Sequence, residues 1–241
     1  ARTFAKPSPP THTVAPAPDI WTPPGPETPP QPQYVEGYFE PSNIVLGPDD
    51  YYYALFWAYP HYEDVSVTAG RECVMRTRTL ADPASWRAWD GDGFNLPMPS
   101  PYSSGGEVEP CGTLKTPSDA GNLSNVPSLT YNTYLERYML VAEHSAWDDG
   151  ELVCGVYFST SFDLINWSEV QLIAEAILWC DPPTPNGLEP VRIQYPSIID
   201  HEDSTTNFER SGRTPYLYYT HHNGGLNRDL VRVPLTFTLE E

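Results

Sequence analysis

The sequence predicts an all-β fold of the β-propeller type, with a proline-rich extension in front of it. Three observations carry this. The first is an internal repeat. Glu40-Pro41-Ser42-Asn43-Ile44-Val45 leads through turn residues Gly47, Pro48, Asp49 and Asp50 into Tyr51-Tyr52-Tyr53-Ala54-Leu55-Phe56. Val126-Pro127-Ser128-Leu129-Thr130 leads through Asn132 into Tyr138-Met139-Leu140-Val141-Ala142, and Tyr195-Pro196-Ser197-Ile198-Ile199 leads into Tyr216-Leu217-Tyr218-Tyr219-Thr220. Each copy is two β-prone runs separated by turn residues, a hairpin signature. The second observation is a further strand after each pair: Cys73–Thr77, Gly155–Ser159 and Asp229–Val233. The third is a turn motif, Asp82-Pro83-Ala84-Ser85-Trp86 and Asp163-Leu164-Ile165-Asn166-Trp167, with the same Asp-to-Trp spacing of 4 after the first two copies. Short antiparallel strands, four to a unit and repeated every few tens of residues, describe propeller blades. The Asp is expected to cap backbone N–H groups in a tight turn and the indole to pack between blades.

The elements follow in order. Residues 1–35 are a different material: Pro fills 11 of the first 32 positions, a composition that favours polyproline II and builds no core of its own. There is no initiator Met and no apolar leader, so Ala1 reads as a processed or trimmed start. The propeller domain occupies 36–241. Its first unit runs to about residue 95 and carries the aromatic loop residues Trp57, Tyr59, His61 and Tyr62, which suit the lining of a cleft. Residues 96–125 form a long irregular connection rich in Pro and Gly. The second unit spans 126–178, a Pro-rich connection follows to 194, and the third unit occupies 195–241. Glu169–Trp179 has helical composition but reads equally as a strand.

Charge removes several functions. Lys plus Arg number 13 against 32 Asp plus Glu, a net charge of −19. Nucleic acids and anionic membranes demand a basic face, so neither is an expected partner. No apolar run is long enough to span a membrane. The 16 Tyr and 7 Trp supply blade packing and also the flat faces that bind the apolar side of a pyranose. The four cysteines, Cys73, Cys111, Cys154 and Cys180, contain no Cys-x-x-Cys pair, which argues against zinc or redox chemistry. They allow three disulfide pairings, or four buried thiols. Sequential pairing, Cys73–Cys111 and Cys154–Cys180, is preferred for its symmetry between units and would imply a secreted or extracytoplasmic protein. Asn-x-Ser sequons stand at Asn122 and Asn166.

The residues Glu40–Val45, Leu80–Gly91, Ser128–Asn132, Tyr216–Tyr218 and Arg228–Pro234 resemble the five-bladed propeller superfamily of glycoside hydrolases. They are most like uncharacterised bacterial members similar to arabinanase and xylosidase propellers, over residues 36–237. The resemblance implies a central funnel in which two carboxyls face each other across a glycosidic bond, one protonated and one ionised. Glu40 stands where those families carry the Asp of an Asp-Pro pair, and its equivalents in the other units are Val126 and Tyr195. Glu143, Glu189 and Asp200 are the other carboxyls expected near the rim, with His144, His221 and His222 beside them. The catalytic set is therefore Glu40, Glu143 and Asp200. Trp57, Tyr59, His61, Tyr195 and His221 form the sugar-binding set. No cofactor is required, and calcium is the ion that acidic loops would accept. Five blades need more units than the three counted here. The expectation is thus of one or two missing blades and of a second polypeptide or a homo-oligomer that completes the ring. Two functions follow: a glycosidase, or a non-catalytic propeller that binds glycan or protein as an assembly subunit.

Overall fold

The computed structural model describes residues 37–59, 71–98, 111–114, 128–176, 192–205, 207–223 and 227–239. The strands are β1 (Gly37–Phe39), β2 (Val45–Leu46), β3 (Tyr52–Tyr59), β4 (Arg71–Thr77), β5 (Arg87–Ala88), β6 (Leu96–Pro97), β7 (Ser128–Asn132), β8 (Arg137–Asp148), β9 (Glu151–Ser161), β10 (Gln171–Glu175), β11 (Ile193–Ile199), β12 (Arg210–Ser211), β13 (Tyr216–His222) and β14 (Arg228–Pro234). A single 3-10 turn at Pro83–Ser85 is the one helical element among the described residues. The chain is all-β. Glu169–Trp179 resolves in favour of the strand reading, as β10 at Gln171–Glu175.

Three sheets form, one for each copy of the repeat. In the first, β2, β3, β4 and β5 make an antiparallel meander in chain order; β6 extends it, and β1 pairs with the far end of β3. In the second, β7, β8, β9 and β10 make another such meander. The third is β11-β13-β14. One connection was not foreseen. The loop after β11 sends the two-residue β12 back to pair parallel with β7, at the inner edge of the second sheet. The side chain of Asn132 holds it there by donating to the Gly212 carbonyl (2.8 Å).

The sheets stack face to face with apolar layers between them. Alternation along β3 and β4 sends Tyr53, Leu55 and Val74 to one side, where they meet Leu129, Tyr138, Leu140, Ala142 and Tyr157 of the second sheet. The other side of β8 and β9 sends Met139, Val141 and Val156 against Ile198, Leu217 and Phe237 of the third unit. A further layer around Phe56, Met75 and Trp86 lies on the outer face of the first sheet. The Asp residues of the turn motif cap backbone N–H groups as expected. Asp82 caps the Ala84 N–H (3.0 Å), while Asp163 accepts from the N–H groups of Ile165 (3.0 Å) and Asn166 (2.8 Å). Trp167 is buried between the first and second sheets, as expected of an indole between units, whereas Trp86 is buried on the outer face of the first sheet among residues of its own unit and Cys111. The Asn166 side chain donates to the Asp163 carboxylate (2.6 Å), so this sequon amide braces its own turn.

The first strands of the three units also touch in succession. Asn43 brackets Leu129 of β7 with its side-chain amide, donating to the Leu129 carbonyl and accepting from the Leu129 N–H (2.8 Å). Ser128 of β7 accepts from Ile198 of β11 (3.1 Å). These contacts link Asn43, Ser128, Leu129 and Ile198 in succession across the three sheets.

One disulfide joins Cys73 of β4 to Cys111, with 6.0 Å between the Cα atoms. It anchors the 111–114 segment, which also donates from Gly112 N to Trp89 O (2.7 Å) and buries Leu114 between the first two sheets. Cys154 is disulfide-bonded as well, and its expected partner, Cys180, lies outside the described residues. No helix among the described residues is long and apolar enough to cross a membrane. The proline-rich segment, and with it the partner expected to pack on it, lies outside the described residues.

Candidate functional site

The Pro-Ser repeat turns out to be a device for interrupting a strand. Proline brings no N–H to the ladder. The residue before it adopts a left-handed backbone in both described copies, φ 50° at Glu40 and φ 58° at Tyr195. Such a conformation is uncommon outside Gly and costs on the order of 1 kcal/mol or more. The serine repairs part of the interruption. Ser42 donates its N–H to the Leu55 carbonyl (2.8 Å) and accepts the Leu55 N–H on its hydroxyl (2.9 Å). In β11 the same interruption appears as a register shift between Gln194 and Ser197. The third equivalent, Val126, lies outside the described residues.

These two bulges converge on one carboxyl. Glu143 comes from the middle of β8 and is only 4% exposed. Its Oε1 accepts the backbone N–H of Tyr195 (2.9 Å), so the bulge of the third unit grips a side chain of the second. Glu40, at the bulge of the first unit, lies close enough for its charge to act on Glu143. Burial pushes the Glu143 carboxyl up, the Tyr195 hydrogen bond pulls it down, and the Glu40 charge pushes it up again, leaving it at about 7. At neutral pH Glu143 is thus divided between protonated and ionised forms.

The site extends along β3 and β4. Phe39, next to Glu40, pairs with Trp57, which pairs in turn with Glu72. Trp57 is half-buried. Glu72 is 7% exposed, and its Oε1 has no hydrogen-bond partner. Burial alone raises its carboxyl to about 8, which keeps it neutral at physiological pH. His144, one residue along β8 from Glu143, stacks edge-on against Tyr157 at 5.3 Å, and its Nε2 is buried without a partner. Burial lowers its pKa, so the ring is neutral.

Of the expected catalytic set, Glu40 and Glu143 come together and Asp200 does not join them. Asp200 follows the far end of β11 and spends both oxygens on backbone: Oδ1 accepts Glu202 N–H (2.9 Å) and Oδ2 accepts Gly212 N–H (2.6 Å). It braces the loop that carries β12. Of the expected sugar-binding set, Tyr195 and Trp57 border the carboxyls. His221 sits at the end of β13 opposite Ile193 and contacts Asn223 (3.0 Å) through Nδ1. Next to it, His222 donates its backbone N–H to Arg192 O (2.8 Å). Burial, followed by the nearby Arg228, Arg192 and His221 charges, lowers the His222 pKa. Tyr59 ends β3, paired with Gly37 of β1; His61 and Glu189 lie outside the described residues. Among the described residues no three His, Cys, Asp or Glu side chains group as a cation site.

Glu72 escaped the sequence reading because a charged residue in Arg71-Glu72-Cys73-Val74-Met75 reads as a solvent-facing position until both faces of the strand are known to be covered. The only available signal was its place in a strand with buried residues on both faces. Two further comparisons bear on identity: no protein-family model matches the chain, and no curated protein is similar to it.

Proposed function

We propose that the chain is a propeller of the five-bladed type that hydrolyses glycosidic bonds at the Glu40–Glu143 centre. One observation carries the reading: a buried carboxyl raised to about 7 and held by the Tyr195 N–H lies within the electrostatic reach of a second carboxyl, Glu40, from the first unit. Glycoside hydrolysis needs such a pair, one member to give a proton and one to act while ionised. Glu143 is the acid. Its Oε1 is occupied by the Tyr195 N–H, which leaves Oε2 to carry the proton to the glycosidic oxygen as the C–O bond breaks. Glu40 is the second carboxyl, activating water or attacking the anomeric carbon. The separation of the two carboxyls decides which, and hence whether configuration inverts or is retained. Trp57 and Tyr195 supply aromatic surface beside them, and neutral His144 keeps further positive charge away from Glu143.

The architecture supports the propeller. Successive sheets stack face to face and touch from first strand to first strand, as neighbouring blades of a propeller would. Disulfide bonding at Cys73–Cys111 supports an exported protein, since such bonds persist in oxidising compartments. A second reading, a non-catalytic glycan-binding or assembly subunit, is favoured by Asp200, because the third expected carboxylate is committed to backbone. In either reading the ring is completed by a second polypeptide or another copy.

The test is hydrolysis of a panel of aryl glycosides and neutral oligosaccharides by the wild type, Glu143→Gln and Glu40→Gln. Activity in the wild type that falls roughly 10²-fold or more in each variant, with unchanged circular dichroism, supports the enzyme. Inactivity across the panel together with retained glycan binding supports the second reading. Inactivity without binding refutes both.

A further inference from the structure

The β8–β9 hairpin runs well past the core. Its register is unbroken from Tyr138↔Ser161 to Asp148↔Glu151, and it closes on Asp149 (φ 46°) and Gly150 (φ 86°). Two central residues with positive φ make a primed turn whose twist matches the strands, which gives a stiff projecting ribbon. Near its tip Trp147 is 74% exposed, opposite Leu152 at 43%. An indole left so open on an ordered strand marks a surface that receives something flat and partly apolar.

We propose that this outer half of the hairpin is a stacking subsite for a pyranose or furanose ring of a neutral glycan, with Trp147 as its platform. The inference rests on the glycan-processing reading above and extends it to substrates several sugars long. Two features select that occupant. The first is continuity. Side chains alternate along a strand, so Glu143, Ser145 and Trp147 share one face of the hairpin, with Val156, Cys154 and Leu152 beside them on β9. Four residues at about 3.3 Å each put Trp147 roughly 13 Å from Glu143, the reach of a short oligosaccharide. The second is charge. Asp148 and Asp149 follow Trp147 in sequence and Glu151 pairs with Asp148, so the tip of the hairpin carries three carboxyls in a chain of net charge −19. Their oxygens accept hydrogen bonds from sugar hydroxyls. The same charges repel nucleic acid, anionic membrane and a second acidic copy of this chain.

The experiment compares wild type, Trp147→Ala and Trp147→Phe in native gels containing soluble arabinoxylan or β-glucan, and in kcat/KM for an oligosaccharide against an aryl monoglycoside. The expected result is that Trp147→Ala loses retardation and its oligosaccharide-to-monoglycoside ratio falls about tenfold, with partial recovery in Trp147→Phe. If the wild type cleaves glycans and Trp147→Ala matches it in retardation and in the ratio, the subsite is overturned and the catalytic reading stands. If the wild type cleaves nothing but only Trp147→Ala loses retardation, the catalytic reading fails and the subsite stands. A wild type that no polysaccharide retards, with an unchanged ratio, overturns the subsite. So does a Trp147→Ala protein whose mass by light scattering shows that a protein contact has been lost.

Discussion

Glu72→Gln should remove a pH dependence from folding. Glu72 sits on β4 with no hydrogen-bond partner for Oε1, and burial raises its carboxyl from 4.5 to about 8. The folded chain therefore holds a proton that the unfolded chain releases above pH 4.5. Between these two values the native state binds more protons, so stability falls as pH rises. Below 4.5 both states are protonated and nothing is lost; above 8 both are ionised and the loss is complete. At about 1.36 kcal/mol per unit, the rise from 4.5 to about 8 amounts to about 5 kcal/mol, most of which develops between pH 5 and pH 8. Glutamine keeps the shape and cannot ionise. Its amide leaves a buried donor unsatisfied, a cost of about 1–3 kcal/mol that does not vary with pH. The readout is thus the slope. Urea unfolding at pH 5, 6, 7 and 8, without reductant, should show Glu72→Gln gaining on the wild type by about 3 to 4 kcal/mol across the series. Glu143 and His144 titrate in both proteins and cancel in the difference. A wild-type-minus-variant difference that stays constant across the series would refute the buried, unpartnered Glu72.

Other consequences are simpler to read. Reducing Cys73–Cys111, which closes a loop of 38 residues, should lower stability by about 4 kcal/mol in the chain-entropy account, read as a shift in the urea midpoint of Cys73→Ser against wild type without reductant. Asp163→Ala removes the acceptor for the Ile165 and Asn166 N–H groups and should cost about 1–2 kcal/mol, whereas Asp163→Asn, which keeps an acceptor, should cost less in the same titration. β14 is an edge strand of the third sheet with Leu230 73% exposed, so light scattering at low concentration is expected to return a mass above the 27.0 kDa of one chain. A monomer at every concentration would remove the oligomer from the account.

Much of the sheet plan was legible because it depends on period and punctuation. Alternating runs around Leu55, Leu140 and Leu217 gave the second strand of each unit, and Asp82 and Asp163 gave the turns with their buried tryptophans. The Pro-Ser repeat was visible as a repeat, but not as a bulge. A left-handed φ at Glu40 and Tyr195 is an outcome of packing on which local propensity is silent, and that bulge is what turns Tyr195 N–H onto Glu143. The length of β8 and β9 was missed although Asp149-Gly150 signals a hairpin, because the polar His144 and Ser145 break the apolar run. β12 has two residues and hence no period to read. Asp200 and Glu72 show the common limit. Both are carboxyls on or next to strands, and only the tertiary packing decides that one caps a loop while the other is buried neutral.

The central claim is that Glu143 acts as an acid with Glu40 as its partner carboxyl, and the most direct measurement is the pH dependence of kcat/KM on an activated aryl glycoside. The account predicts an alkaline limb that falls near pH 7, set by loss of the Glu143 proton. Glu143→Gln should abolish the alkaline limb along with most of the rate. A wild-type profile that stays level from pH 6 to pH 9, or one that Glu143→Gln leaves in place, would contradict it.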